Sequence, residues 1–378
     1  MKPPITALAP NSAIGILGGG QLAQMLSIAA VNLGYLTAFI DPDPHAPAQK
    51  VSTHVQSSFT NTDTLELLGR AVKVVTLEFE NVPLSSLETL EQSVPVYPAK
   101  ELFQISRNRI LEKKALIVAG LEVAPYWAIL DENQLEGSLK HVGGTGILKT
   151  AEMGYDGKGQ IRVSSEVELL EGFKELGSVP CVLEGIVPFT REFSVQVARN
   201  VRGEVGVSGI YQNTHAGGIL RRSVWPSSAC EITQTKAREM ALTLAQKWNL
   251  VGLLTLELFE LPDGSLRVNE IAPRVHNSGH LSLNGGGMSQ FEAQIRAVTG
   301  LPLHNFVPAV PCAMVNVLGW EEGFEPDWSE ILTLEGVYLH LYGKRNRPGR
   351  KMGHVNVVGE KGLLERVERV EGLLHHTS

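Results

Sequence analysis

Glu257 and Glu270 are the residues best placed to do chemistry. They lie on two apolar, strand-like runs that flank Pro262-Asp263-Gly264, a reverse-turn signal. If Asp263-Gly264 is a two-residue turn, Glu257 stands directly opposite Glu270, with Cβ atoms roughly 5 Å apart. Two carboxylates so placed repel unless a cation lies between them. Mg²⁺, held by one or two carboxylates and sharing its remaining positions with phosphates, meets that need. The alternatives are a glutamate turned to solvent, or a three-residue turn that shifts the register and separates the pair.

Two glycine loops add anion chemistry. Gly18-Gly19-Gly20-Gln21-Leu22-Ala23 contains Gly-x-Gly-x-x-Ala between a strand and a helix, and Asp41 ends the next strand. That is the dinucleotide fingerprint, so a nicotinamide-dependent oxidoreductase is one reading. A helix N-terminus offers N–H groups to any anion, so a phosphate monoester fits as well, and so does a tight turn with no ligand. The second loop, Gly154-Tyr155-Asp156-Gly157-Lys158-Gly159-Gln160, follows a strand carrying Lys149. Its glycines free successive N–H groups to wrap phosphate oxygens, and Lys149 and Lys158 add charge where a triphosphate needs it. It is not a Gly-x-x-x-x-Gly-Lys-[Ser/Thr] loop, and its bland alternative is a surface loop. Further on, a strand ending in Glu184-Gly185-Ile186-Val187 can present backbone groups to an adenine edge, with Glu192 within reach of ribose hydroxyls.

Alternating elements must position these groups. Strands are predicted at Ala13–Leu17, Leu36–Ile40, Val72–Leu77 and Val94–Tyr97, with helices at Gln21–Leu33, Thr64–Ala71 and Leu84–Gln92, which implies a parallel sheet. A helix over Lys100–Ala119 follows. Longer antiparallel strands from Ile147 to Ile271 are mixed with helices at Ser165–Leu176 and Thr233–Trp248. Proline-rich Leu301–Pro311 reads as a connector to a small β-rich segment with a basic cluster, Lys344 to Lys351. Three domains are expected, at 1–103, 104–300 and 301–378.

The 378 residues are 43% hydrophobic and 19% charged, a soluble globular composition. A net charge of −7 argues against a nucleic-acid partner. Cys181, Cys230 and Cys312 lie far apart, which suggests a reducing compartment and offers no zinc motif. Pro3 to Ile40 carries no charge, but its glycines and scattered polar residues break any span of about 18 apolar residues, so no membrane partner is expected.

Taken in order, a glycine-rich lid, an adenine-binding strand end and two strand-borne carboxylates resemble the ATP-grasp enzymes, and within them the ATP-dependent carboxylases of purine biosynthesis. Gly18–Leu22, Glu78-Phe79-Glu80-Asn81-Val82, Gly154–Gln160, Glu184–Val187, Asn269–His280 and Arg347–His354 carry the resemblance, which covers nearly the whole chain. Ala272-Pro273-Arg274-Val275-His276-Asn277-Ser278-Gly279-His280 is its most specific string.

The resemblance implies a mixed α/β and α+β architecture: an ATP-grasp fold with an N-terminal Rossmann-like, pre-ATP-grasp parallel sheet and a small C-terminal β-rich domain. It implies ATP- and bicarbonate-dependent carboxylation of 5-aminoimidazole ribonucleotide through carboxyphosphate, by a cytoplasmic homodimer using ATP and Mg²⁺. Arg107 and Lys149 would contact phosphates, Gly154–Gln160 would cover them, and Glu184, Gly185, Ile186 and Val187 would hold adenine. Glu192 would hold ribose, with His215 nearby. Glu257 and Glu270 would bind Mg²⁺, with Asn269 beside them. Gln21, Leu22, Glu78, Asp156, Lys344, Arg350 and Lys351 would meet the ribonucleotide. Asp156 would serve the substrate amine and Lys158 the closing lid, while Arg274, His276 and Asn277 would hold bicarbonate. Two departures stand out: Ala23-Gln24 replaces the family's usual Gly-Arg, and Lys158 stands where Arg is often found. Another acyl-phosphate ligase of the same fold is the alternative within the class.

Overall fold

A computed structural model of the chain describes residues 6–154 and 159–374. Four strands open the fold, β1 (Ala13–Leu17), β2 (Leu36–Asp41), β3 (Thr53–Gln56) and β4 (Val74–Leu77), all parallel and ordered β3-β2-β1-β4. Parallel neighbours need crossovers, which the helices Gln21–Asn32 and Thr62–Ala71 supply. Ile14 and Ile16 of β1 pack into one core cluster and Leu17 into another, because both faces of the sheet are covered. From Ala13 to Ile40 the uncharged run is therefore a strand–helix–strand unit, largely buried but with Ile28, Val31 and Leu36 exposed. No helix among the described residues is long and apolar enough to cross a membrane.

Three local expectations need correction. Val94–Tyr97 is not a strand. It makes one parallel bridge, Val96 to Val75, because Pro95 and Pro98 remove the N–H groups a longer ladder needs. Half-polar β3 escaped notice because an edge strand lacks the apolar run of its buried neighbours. The helix expected over Lys100–Ala119 is two helices, Lys100–Ser106 and Arg109–Val118. Asn108 breaks it: its side-chain oxygen accepts the Ile110 and Leu111 amides, both at 3.1 Å, and caps the second helix.

A small antiparallel sheet follows, made of β5 (Tyr126–Ile129), β6 (Gly146–Thr150), β7 (Gln160–Val163) and β8 (Cys181–Gly185), in the order β5-β8-β6-β7. Leu169 and Phe173 of the helix Glu166–Glu175 pack onto its Leu148, Val163 and Leu183. The β6–β7 connection is the second glycine loop, closed at its stem by Thr150 N–H donating to Gly159 O at 2.9 Å. Tyr155, Asp156, Gly157 and Lys158 lie outside the described residues.

The rest is one nine-stranded sheet. Its strands are β9 (Arg191–Arg199), β10 (Val205–Val207), β11 (Tyr211–Ala216), β12 (Ile219–Trp225), β13 (Gly252–Glu260), β14 (Leu266–Ala272), β15 (Cys312–Leu318), β16 (Val337–Leu341) and β17 (Lys351–Val358). The order is β14-β13-β9-β11-β12-β15-β17-β16, with β10 beside β9, so the C-terminal strands continue the sheet through β12 and β15. Leu254, Leu256 and Leu258 of β13 enter the core with Ala237, Ala241 and Leu244 of the helix Glu231–Lys247. Burying each leucine is worth about 1.5–3 kcal/mol, so this face fixes the strand's register. Strand periodicity then puts Thr255, Glu257 and Phe259 on the opposite face.

Candidate active site

The hairpin brings the two glutamates together by a different route from the simple turn. Leu261 N–H donates to Ser265 O at 2.9 Å, which makes Pro262-Asp263-Gly264 a three-residue turn, with Gly264 at φ +77°. Glu260 accordingly pairs with Leu266, and Leu258 with Val268. That register alone would separate the glutamates. A bulge at Asn269 then adds one residue to β14 and restores the pairing of Glu257 with Glu270.

Glu257 is buried and faces Glu270. Burial first, then the charge of Glu270, push its carboxyl well above the ordinary range. One ligand atom from each of Glu257, Glu270 and His276 lies within 4.8 Å of the others, and His276 Nε2 is 3.3 Å from Glu257 Oε1. Burial lowers the His276 imidazole far below its ordinary value, so it is neutral. A buried carboxyl facing a second, solvent-exposed one is a repulsion that a hard divalent cation relieves, so this donor set fits Mg²⁺.

The segment after β14 is held by Gln290. Its Oε1 accepts the His276 amide at 2.8 Å, and its Nε2 donates to His276 O at 2.8 Å and meets His280 Nδ1 at 2.9 Å. Arg274 Nη2 sits 2.6 Å from Glu80 Oε1, while Arg274 Nε and Asn277 Nδ2 are buried with no protein partner among the described residues. Unpaired buried donors cost about 1–3 kcal/mol each, so this corner is built to receive an anion.

On the lid side, Lys149 Nζ donates to Glu184 Oε2 at 2.7 Å, and Lys113 Nζ lies 2.9 Å from Glu184 Oε1. Burial opposes the Glu184 charge, but the two ammonium groups overcome it and hold the carboxyl at about 2. Glu192 accepts from His215 Nδ1; burial of the imidazole opposes the proton, and the carboxylate nevertheless raises its pKa.

The first glycine loop does not offer its amides to a dinucleotide. Gly19 N–H donates to Asp41 Oδ2 at 2.7 Å, Gly20 N–H to Glu78 Oε1 at 2.5 Å and Ala23 N–H to Glu78 Oε2 at 3.1 Å. The glycines are needed because side chains crowd them: a Cβ on Gly19 would lie 2.3 Å from Phe39, and one on Gly20 2.5 Å from Glu78. Asp41 is thus a loop brace, and the nicotinamide reading loses both its anion site and its ribose acid. The Ala23 departure is harmless to this brace, since the backbone makes the bond.

These groups open onto one cavity of about 640 Å³. Gln21, Leu22 and Glu78 line it from the parallel sheet, Arg107 from the helix junction, and Lys149, Gly154 and Gln160 from the lid sheet. Glu192, His215, Glu257, Asn269, Glu270, Arg274, His276, Asn277 and Lys351 complete the expected set. Glu184, Gly185, Ile186, Val187, Lys344, Arg350 and Gly159 are not on its wall. Lys344 still reaches that wall indirectly, donating to Gln21 Oε1 at 2.6 Å, and Arg350 Nη1 bonds Arg345 O at 3.3 Å.

The wall also holds residues that sequence reasoning missed. Glu80 anchors Arg274, and Arg109 donates to Thr150 O and Gly154 O at 3.0 and 3.3 Å. Glu112, 3% exposed, accepts the Ile271 amide at 2.7 Å, and burial raises its carboxyl to about 8. Arg109 and Glu112 carry a weak local signal, being three apart just after a capping Asn. Nothing local marks Glu112 for a strand 159 positions on.

These shifts set a pH signature. Glu112 and Glu257 hold more protons folded than unfolded above 4.5, so their stability is lost as pH rises toward about 8. Buried neutral His280, held near 3 by burial, acts oppositely, and its effect is complete once pH exceeds 6.5. Above pH 6.5 only the carboxyl losses remain, so the Tm of the metal-free protein should decline from pH 6.5 toward pH 8, with Mg²⁺ flattening that limb. Thermal scans with and without Mg²⁺ check this; a metal-free Tm that climbs across that limb would contradict it.

A lid sheet facing a larger antiparallel sheet that carries a paired-carboxylate hairpin is how ATP-grasp enzymes enclose a nucleotide. Residues 114–291 match the ATP-grasp domain, 12–107 the ribonucleotide synthetase preATP-grasp domain, and 312–368 the phosphoribosylaminoimidazole carboxylase C-terminal domain. The N5-carboxyaminoimidazole ribonucleotide synthase of Brucella melitensis is 42% identical, covering 93% of this chain and 97% of that one. The crystal structure of the corresponding synthetase from Thermus thermophilus has a TM-score of 0.89 at 41% identity, covering 95% of this chain and 98% of that one. The Aspergillus clavatus enzyme, in complex with ADP and 5-aminoimidazole ribonucleotide, has a TM-score of 0.88 at 27% identity, covering 96% and 98%. The chain belongs to the N5-carboxyaminoimidazole ribonucleotide synthase family of ATP-grasp ligases.

Proposed function

We propose that the chain carboxylates 5-aminoimidazole ribonucleotide to N5-carboxyaminoimidazole ribonucleotide, consuming ATP and bicarbonate and releasing ADP and phosphate. One observation carries the residue-level reading: the paired carboxylates, the Arg274 corner and the wall bearing Glu78 and Lys351 open onto a single cavity. The three parts suit a metal–triphosphate, a small anion and a second phosphate-bearing substrate.

Bicarbonate is a poor electrophile, and phosphorylation corrects that. A bicarbonate oxygen attacks the γ-phosphorus as the bond to ADP breaks, giving carboxyphosphate. Its C–O bond then breaks to CO₂ and phosphate, and the ribonucleotide amine attacks CO₂ and loses a proton. The protein's work is positioning and charge neutralisation. Lys149, Arg107 and Arg109 hold phosphate oxygens, Glu192 the ribose, and the Glu184–Val187 strand end the base. Glu257 and Glu270 would hold Mg²⁺, which would supply positive charge to offset that of the phosphates. Arg274 and the Asn277 amide orient bicarbonate. Gln21, Glu78 and Lys351 receive the ribonucleotide, supported by Lys344 and Arg350. Asp156 and Lys158, in the lid, are assigned to the amine and to closure.

We also infer three domains, at 1–103, 104–300 and 301–378, in a cytoplasmic homodimer; family resemblance supports this. ADP release measured with aminoimidazole ribonucleotide, with and without bicarbonate, tests the function. Turnover should need both, and ADP release unaffected by bicarbonate would reject the reading. Lys351→Ala should raise the ribonucleotide KM roughly ten- to hundredfold, since a charge-assisted contact is worth about 1.5–3 kcal/mol. A rise in the ATP KM instead would move Lys351 to the nucleotide side.

A further inference from the structure

β14 carries Glu270 but lies at the edge of the sheet, with β13 on one side and a single parallel bridge, Val268 to Val123, on the other. It also holds the Asn269 bulge on which the Glu257–Glu270 pairing depends. An edge strand with a bulge is the part of a sheet most free to slip, and a slip of one residue turns every side chain to the other face. Its outward amides are met from outside the sheet: Val268 N–H donates to Glu122 O at 2.8 Å, and Ile271 N–H to the buried Glu112 carboxyl at 2.7 Å.

We propose that Glu112 is a positioning residue, which holds β14 in its bulged register by accepting the Ile271 amide and so keeps Glu270 facing Glu257. The helix that carries it is tied down on the same side. Arg109, Glu112 and Lys113 stand at i, i+3 and i+4 and share one face. Arg109 grips the lid stem at Thr150 O and Gly154 O, while Lys113 pairs with Glu184 at 2.9 Å. One helix face thus joins the lid stem, the strand end assigned to the base, and the metal hairpin. Glu112 serves as an acceptor and its charge is not required, in keeping with a carboxyl that burial raises to about 8. The inference rests on the reading that Glu257 and Glu270 hold the divalent cation.

The test compares wild type, Glu112→Gln, Glu112→Met and Glu257→Gln by Mn²⁺ titration followed by electron paramagnetic resonance. Amide exchange at Ile271 is read in parallel. Glu112→Met fills the volume without accepting; it should weaken Mn²⁺ binding about tenfold or more and speed Ile271 exchange. Glu112→Gln keeps an acceptor and should stay within about twofold of wild type in both readouts. Wild-type Mn²⁺ affinity in Glu112→Met, or Glu112→Gln as weak as Glu112→Met, would overturn the proposal. So would an Ile271 amide unprotected in the wild type, a measurement that needs no variant to fold. Unchanged Mn²⁺ affinity in Glu257→Gln would instead reject the metal assignment alone, and Ile271 exchange would still decide the Glu112 contact.

Discussion

Glu257→Gln and Glu270→Gln should each lower ATP turnover by roughly 10²–10³-fold, because a divalent ion at the transferring phosphate is worth several kcal/mol. The same substitutions should raise the Tm of the metal-free protein, since each removes one of two repelling carboxylates, and Glu257 is buried as well. Lower activity with higher stability separates metal ligation from a structural role, in which both would fall. Steady-state ADP release at saturating Mg²⁺, beside metal-free thermal scans, reads the two together. Near-wild-type turnover in either variant would remove the pair from the chemistry.

Arg274→Lys should cost about 10²-fold in kcat although the positive charge stays. A guanidinium offers a fork of donors to a planar carboxylate, and an ammonium offers a point charge. Arg274 is held by Glu80 at 2.6 Å and has a buried Nε with no protein partner among the described residues, so the fork is oriented before the anion arrives. Removing one preorganised donor at developing charge costs about 10²–10³-fold, and bicarbonate-dependent ADP release should register it. Unimpaired turnover in the lysine variant would leave Arg274 as a brace for Glu80 only.

The expected pairing of Glu257 with Glu270 is met through two compensating irregularities. The sequence suggests Asp263-Gly264 as the turn, whereas the loop is one residue longer and the Asn269 bulge takes up the difference. Turn chemistry is local and readable; a bulge is set by what packs against the strand, here the helix that carries Glu112. The parallel sheet was legible for the opposite reason, since buried strands and crossover helices each leave a periodic run of their own. The single long helix was misjudged because Asn108 acts as a cap only once the chain is free to turn there. The first glycine loop shows the limit of motifs. Its spacing suits a dinucleotide, yet Asp41 and Glu78, contributed by two other strand ends, take its amides. Such partners lie far along the chain and leave no spacing to read, as do Glu80 with Arg274 and Lys113 with Glu184.

The central claim is that the γ-phosphoryl group of ATP passes to bicarbonate before carbon reaches the amine. Turnover with ¹⁸O-labelled bicarbonate, aminoimidazole ribonucleotide and unlabelled ATP tests it through the isotope content of the released phosphate. Carboxyphosphate keeps the bicarbonate oxygen on phosphorus when its C–O bond breaks, so each phosphate should carry one labelled oxygen. Unlabelled phosphate, formed together with carboxylated product, would contradict the account.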